Sequence, residues 1–522
     1  MSASNPPHNP AEDEDAELEM LAEDEAEEIL DGEDAEGDVP MGSDDEGEEI
    51  LLQNDSIAYF DGHKDSVFAI AQHPLYPNLV ATGGSEGDAD DAPGKGYVID
   101  TSAATSRPVL PPSYSSDPSA AASAAGQTTS LSPLFAIEGH TDSINALAFT
   151  LPRGDFLVSG GMDGRLRVYA VDIPSNPTSA PPRFTFLAES QETEEINWLS
   201  PCPAAEYPNT IALGASDGSV WVLTIDASDK TNPIQITQSY FLHTGPCTAG
   251  AWSPDGLLLA TVSEDSSLHV FDVFGVAAAK NLVTDNGQTV VSLTDADQRF
   301  AVEGGLYSVA VSPTGGFLAA GGAGGAIRIV GLPRLSPSSS SQPQPQSRGS
   351  SSTQKKTQAT QAGTILASLA LQQDSVEFLA FSPLPSTPSS SAPLLLAAGS
   401  VDGSIAVFDT ARSFALRRHL RGAHDGESVV KVDFVRSPAS VPAAGWLLTS
   451  CGLDGVVRRW DLRGATASSQ QTSADSNAGL VKEWRGHRGG GEGGGVLGFV
   501  QGETGERIVT VGDDGLVLVF EA

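Results

Sequence analysis

The sequence predicts an all-β fold, a β-propeller of eight blades behind a disordered, acidic N-terminal tail, and three observations carry that expectation. A short strand–turn–strand pattern recurs in tandem from about residue 50 to the end. Gly 55 and Pro 34 in 522 residues supply many turns, while long charged amphipathic stretches are missing beyond the leader. The acids crowd the start: residues 1–50 hold 21 Asp or Glu and no Lys or Arg.

The pattern is plain in Phe156–Tyr169, FLVSGGMDGRLRVY: an apolar strand, a Gly-Gly-x-Asp-Gly turn, then an alternating strand ending on an aromatic. It returns in LLATVSEDSSLHVF, LLAAGSVDGSIAVF, LLTSCGLDGVVRRW and IVTVGDDGLVLVF, which end at Phe271, Phe408, Trp460 and Phe520. In each, the turn aspartate (Asp163, Asp265, Asp402, Asp454, Asp514) stands six places before the aromatic. Asp217 keeps the turn in another unit, and Gly324 marks one that has lost its aspartate. A histidine precedes a short strand in most units: His63, His140, His243, His424 and His487. Strands after residues 63, 140, 192, 243, 303, 372, 424 and 487 make eight. These units resemble WD40 repeats, down to the literal Trp460-Asp461 pair.

The landmarks have a physical reason to recur. A four-stranded blade cannot bury both faces alone, so blades stack around an axis and bury one another. The histidine, a Ser or Thr in the second strand, the turn aspartate and the tryptophan can form one buried hydrogen-bonded chain. Only residues 424–460 hold the full set, His424, Ser450, Asp454 and Trp460. Phe271 and Phe520 lack an indole N–H, so their chains must stop short. The seventh blade is therefore expected to be the best specified and the fifth the least.

The last residues end on a third strand, so the outer strand of blade eight must come from the N-terminal side. Ile50–Phe60, ILLQNDSIAYF, is apolar enough to supply it and to remove the open edges. The expected domains are thus a tail over 1–49 and a propeller over 50–522. Low-complexity inserts at Thr101–Pro133, Arg334–Gly363 and Ala465–Gly479 cannot bury enough apolar surface to order themselves. Shorter inserts interrupt 384–393 and 436–444. Nearly all fall between strands one and two or three and four of a blade, which leaves the opposite, top rim uncluttered.

Charge and motifs narrow the function. The net charge is −40, and the chain beyond residue 50 is itself acidic, so direct nucleic-acid binding is disfavoured and a basic partner is expected. Cys202, Cys247 and Cys451 form no disulfide or metal-ligand spacing, which fits a reducing compartment. The start lacks the features of a signal peptide, and no run is long enough to span a bilayer. A monomer of the cytoplasm is expected, with entry to the nucleus left open, and without cofactor, metal or membrane. No Ser-His-Asp arrangement, phosphate loop, Cys-x-x-Cys or His-Glu-x-x-His occurs, and RGGGEGGG (Arg488–Gly495) lacks the Lys-Ser/Thr of a phosphate loop. The reading is a binding protein, not an enzyme.

The top rim is where binding is expected. Two places after the histidine, or its equivalent, come Asp65, Asp142, Glu194 and Asp374, with Glu427 nearby. Five places after it come Phe68, Asn145, Asn197, Thr248 and Glu377. Glu264 and Asp513 precede turn aspartates, Glu192 and Glu195 add charge in blade three, and Glu86–Asp91 lies in a top loop of blade one. Acids with a few aromatic anchors suit a basic peptide.

A closer resemblance rests on DGHKDSVFAIAQHP (Asp61–Pro74), GHTDSINALAF (Gly139–Phe149), EEINWLSPCP (Glu194–Pro203), ASDGSVWVL (Ala215–Leu223) and LHTGPCTAGAWSPDG (Leu242–Gly256). With the acidic leader, these blocks resemble the angio-associated migratory cell protein family, which includes the fungal assembly chaperone of the large-subunit ribosomal protein L-ten. The resemblance implies an eight-bladed propeller whose acidic top captures the basic N-terminal segment of a newly made ribosomal protein for 60S assembly. Two alternatives stay open: a substrate receptor of a cullin-type ubiquitin ligase, because Trp460-Asp461-Leu462-Arg463 matches the W-D-x-R box, and a general WD-repeat scaffold.

Overall fold

The computed structural model describes residues 54–87, 92–104, 129–174, 180–335, 362–384, 393–436, 445–463, 479–489 and 494–522. The acidic tail, residues 50–53, most of each long insert, and residues 88–91 and 490–493 lie outside them. Alternating apolar strands joined by tight Asp-Gly turns pair with their sequence neighbours, as local strand–turn–strand patterns must. In blade 2, Ile144–Phe149, Phe156–Gly161, Arg165–Asp172 and Arg183–Gln191 form an antiparallel sheet in that order. Eight such sheets follow one another. Their first strands, starting at Ala69, Ile144, Ile196, Cys247, Leu306, Val376, Val429 and Val496, contact each other in sequence, and the eighth contacts the first. The sheets therefore ring a central axis.

Second strands are sandwiched between neighbouring blades and are buried along almost their whole length, as in Phe156–Gly161, Thr210–Ala215 and Leu395–Ser400. Two glycines of blade 2 show why small residues stand there. A Cβ on Gly160 would come 2.8 Å from Ile196 Cγ2 of blade 3. Gly164, at φ +71°, turns left-handed beneath the chain entering blade 3, where a Cβ would meet Thr193 O at 2.1 Å. Side chains at these points would prise blades apart.

Polar and apolar cohesion trade places around the ring. Blade 5 lacks both histidine and turn aspartate, and Val302 occupies the histidine's place. Instead, Phe300, Val302, Leu306, Leu318 and Val330 pack into an apolar cluster shared with blade 4. That blade has no side-chain relay to lose.

The ring closes where the two ends meet. Ala58–Phe60 pairs antiparallel with Val517–Glu521, in the register Ala58↔Val519, Tyr59↔Leu518 and Phe60↔Val517. Asp55 N and Ile57 N donate to Arg485 O and Val519 O at 2.8 Å. Of the expected Ile50–Phe60, the described strand is Ala58–Phe60, and residues 50–53 lie outside the described residues. Ile57 and Phe60 are buried with Val67, Val511 and Val519, and burying each such large side chain stabilises by about 1.5–3 kcal/mol.

The insert after the third strand of blade 1 also departs from expectation, since both its ends are ordered. Thr101–Ala103 forms a single 3-10 turn whose carbonyls are held by Arg507 of blade 8: Nη1 donates to Thr101 O at 2.8 Å and Nη2 to Ala104 O at 3.1 Å. Thr129–Ser130 adds a parallel strand outside Ala58–Phe60, making blade 8 five-stranded. Thr129 N donates to Ile57 O at 3.1 Å and Leu131 N to Tyr59 O at 2.8 Å, and Ala104 and Leu131 are buried in the closing cluster. Composition understated this segment because a free strand edge nearby satisfies its backbone.

Deleting residues 50–60 is expected to abolish a cooperative melt or cause aggregation, whereas a chain starting at residue 46 keeps every contact described above and should melt as the full chain does. Differential scanning fluorimetry of the two truncations distinguishes them.

Candidate partner-binding site

The side chains that hold the top rim in place form relays inside the blades. In blade 7, Trp460 Nε1 donates to Ser450 Oγ at 2.9 Å, and Ser450 Oγ lies 2.8 Å from His424 Nε2. His424 Nδ1 lies 2.9 Å from Asp454 Oδ1. One tautomer satisfies the whole chain: Nδ1–H donates to the carboxylate while Nε2 accepts from serine. Arg458 adds an ion pair to Asp454 and donates to Asp425 and Glu483 at 3.0 and 2.9 Å. Where the aromatic is Phe520, the chain stops at His487, Thr510 and Asp514. In blade 4, His243 Nδ1 turns instead to Ser267 Oγ at 2.6 Å, and its distance to Asp265 widens to 4.0 Å. Gln372 takes the histidine's place in blade 6 and donates to Ser404 O.

Each relay pins the start of a first strand, and there the ladder carries a bulge. In blade 2, Ile144 pairs with Gly161 and Ala146 with Gly160, so Asn145 stands out of register. The same one-residue step occurs at Asn197, Thr248, Tyr307, Glu377, Val430 and Leu497, and Phe68 precedes the ladder at the matching place in blade 1. Such bulges re-aim a side chain. A second ring is set by the residue before the turn, whose N–H bonds back to the loop entering the blade: Met162, Ser216, Glu264, Ala323, Val401, Leu453 and Asp513, with Ser85 in blade 1. Both rings open on the face that carries the turns between second and third strands.

The two rings meet in a recess of about 480 Å3 that crosses blades 3 to 6. It is lined by Glu195, Asn197, Ser216, Pro246, Thr248, Glu264, Tyr307 and Glu377. Three of the expected rim carboxylates thus converge with no cation among the lining residues. Loss of surrounding water, then the charge of Asp374, raises the Glu377 carboxyl above its ordinary value. The Tyr307 phenol is raised by burial and by the charges of Glu264 and Glu377. Burial comes first in both shifts, and the neighbouring carboxylates add to it.

The other expected residues are placed as follows. Asp142, Glu194, Asp374 and Glu427 each stand two residues before a first strand, so Glu427 is the true equivalent in blade 7, while Asp65 stands four before Ala69. Asp142 and Asp374 accept the next residue's N–H at 2.6 and 2.7 Å. Glu192 and Glu194 are exposed, and Glu192 accepts from Ser190 Oγ at 2.7 Å. Asp513 is engaged by Ser66 Oγ across the junction of blades 8 and 1. Asn197 and Thr248 donate to Cys247 O and Leu306 O of the following blades, so both also brace the ring. Lys64 and Lys95 lie 2.8 and 3.6 Å from Glu86, so this acid of blade 1 is paired, and residues 88–91 of the same loop lie outside the described residues.

Tyr307, Val430 and Leu497 were missed because the count ran from the histidine. Blade 5 has none, blade 7 has one extra residue before Val429, and blade 8 has a glycine-rich loop before Val496. Counting one place on from the strand starts recovers all three. Among the described residues, no group of His, Cys, Asp and Glu could hold a metal ion.

Eight closed blades with these relays define the class, a WD-repeat β-propeller. Residues 131–170, 234–272 and 298–330 match the family model of the WD domain, G-beta repeat. The crystal structure of Chaetomium thermophilum Sqt1 is 70% identical, with 90% of this chain and 98% of that chain covered and a TM-score of 0.75. Its crystal structure bound to the N-terminus of the ribosomal protein L10 gives 68% identity, 90% and 100% coverage and a TM-score of 0.74. The ribosome assembly protein SQT1 of Saccharomyces cerevisiae is 27% identical over 53% of this chain and 54% of its own length. The human angio-associated migratory cell protein is 22% identical over 74% and 69%. The chain belongs to the Sqt1 family, as the resemblance in its sequence implied, and spans about half the length of the yeast relative it matches.

Two stability predictions follow from the relays. Trp460→Phe removes one donor and should cost about 1 kcal/mol, whereas His424→Ala strands two buried groups and should cost about 2–3 kcal/mol, both read by urea denaturation. Burial pushes the imidazoles of His63, His243 and His269 down to about 4, 3 and 4, from 6.5. Between those values the unfolded chain binds more protons than the folded one. Their contribution is therefore complete above pH 6.5 and lost as pH falls toward 4 and 3. Melting temperature should be level from pH 7 to 8 and drop steadily through pH 6 and 5.

Proposed function

We propose that this chain is a dedicated chaperone that captures the basic N-terminal segment of newly made ribosomal protein L10 and holds it for assembly into the large ribosomal subunit. The observation that carries the reading is the relative, 68% identical over 90% of this chain, whose crystal structure holds the N-terminus of L10. The acidic recess of Glu195, Glu264 and Glu377 supplies the matching chemistry.

The work is binding, with no reaction catalysed. A ribosomal-protein terminus rich in Lys and Arg, free of rRNA, adheres to any polyanion it meets. Several carboxylates at a shared mouth hold it by many contacts that are individually weak and screened by salt. Such contacts exchange readily for phosphates, which suits hand-over to rRNA. The acids of residues 1–50 add to the field that draws a cation in. Capture at the point of synthesis places the protein in the cytoplasm. The residue on which a ligase-receptor reading turns is already engaged: Arg463 Nε and Nη2 donate to Asp461 at 3.0 and 2.7 Å.

A fluorescent peptide of the L10 N-terminus should bind the full chain with micromolar or tighter affinity, and weaken steeply from about 0.05 to 0.5 M salt. Glu264→Lys with Glu377→Lys should remove most of that binding and flatten its salt dependence while the melting temperature holds. Binding that ignores both salt and these charge reversals overturns the reading.

A further inference from the structure

The mouth is chemically divided. At the bulged position, blades 7, 8 and 1 carry Val430, Leu497 and Phe68, while blades 2 to 6 carry a polar side chain or a tyrosine at every place. In the second ring Leu453 of blade 7 and Met162 of blade 2 flank this arc, with Ser85 and Asp513 standing between them in blades 1 and 8. Phe68, Leu453 and Met162 keep 41%, 37% and 44% of their surface exposed. The matching positions in blades 3 to 6 line the acidic recess, so eightfold equivalence aims this arc at the same mouth. In a closed ring of eight, blade 8 lies opposite blade 4. The apolar arc therefore faces Glu264 across the opening.

The arc is built as a shelf. Gly495 leaves room for Leu453, since a Cβ there would come 2.7 Å from its Cδ2. Of the described acids nearby, Asp513 accepts from Ser66 and Glu86 is paired with Lys64 and Lys95. Apolar side chains half exposed at a binding mouth suit a bulky apolar group better than a cation.

We propose that the mouth reads its client in two sectors: cationic side chains settle over Glu195, Glu264 and Glu377, and a bulky apolar or aromatic side chain of the same segment seats against Phe68, Leu497 and Leu453. The client is then an amphipathic basic segment, and cationic charge alone does not suffice. This rests on the mouth being the client site. A segment spanning the opening is fixed in direction, because its apolar residue and its cations cannot exchange places. Apolar burial supplies the part of the affinity that salt does not screen.

The test uses the full chain, the L10 N-terminal peptide and an oligo-arginine peptide of equal length. Phe68→Ser with Leu497→Ser should weaken the L10 peptide at least about tenfold. The slope of log Kd against log salt should stay unchanged, as should binding of oligo-arginine. Phe68→Trp, alone, should retain tight binding; this conservative variant keeps the test valid if the double variant melts early. Equal affinity of wild type and the serine variant for the L10 peptide sinks the two-sector reading and leaves the client reading standing. Failure of the wild type to bind that peptide at all sinks both.

Discussion

Each blade buries its faces against its neighbours, so the pairing of Ala58–Phe60 with Val517–Glu521 is the contact on which every other one depends. Without it, blades 1 and 8 would each expose an apolar face and an unpaired strand edge. Three residue pairs are a small area for that duty. The closing cluster enlarges it by burying Ile57, Phe60, Tyr97, Leu131 and Val519 together, and Arg507 ties the segment after blade 1 to blade 8. Closure is achieved by side chains around the seam as much as by the ladder across it.

Closure also creates the mouth. Once the blades are locked in register, one bulged residue per blade is delivered to the same height around the axis. Function can then vary residue by residue, while His424, Ser450, Asp454 and Trp460, or their partial counterparts, hold the frame. Glu377 and Phe68 occupy equivalent backbone positions and differ only in what they offer a partner. The relays lie buried inside the blades, so changes at rim positions such as Glu264 and Glu377 leave the frame intact.

Much of this was legible in the residues. The Asp-Gly turns, the spacing to the aromatic and the histidines reveal the repeat and its number because each answers a local demand of blade geometry. The blade 7 relay is written in full between residues 424 and 460. Other features depend on contacts that spacing does not encode. Thr129–Ser130 reads as low-complexity sequence, and only the presence of a free edge at Ala58–Phe60 makes it a strand. The division of the mouth was hidden because histidine is a poor ruler in blades 5, 7 and 8, where loops of different length follow it or none exists. The acidic recess was half visible: Glu264 and Glu377 stood out as charges, but Tyr307 between them did not.

The parallel pairing of Thr129–Ser130 with Ala58–Phe60 has a bearing on how the chain emerges from the ribosome. Residues 58–60 leave the exit tunnel some 460 positions ahead of their antiparallel partners at 517–521. Until those partners are made, this apolar strand would otherwise wait with both edges bare. Residues 129–131 follow it out after some seventy positions and can occupy one edge at once. The nascent strand thus acquires a lasting escort, and only the edge reserved for residues 517–521 stays open until they emerge.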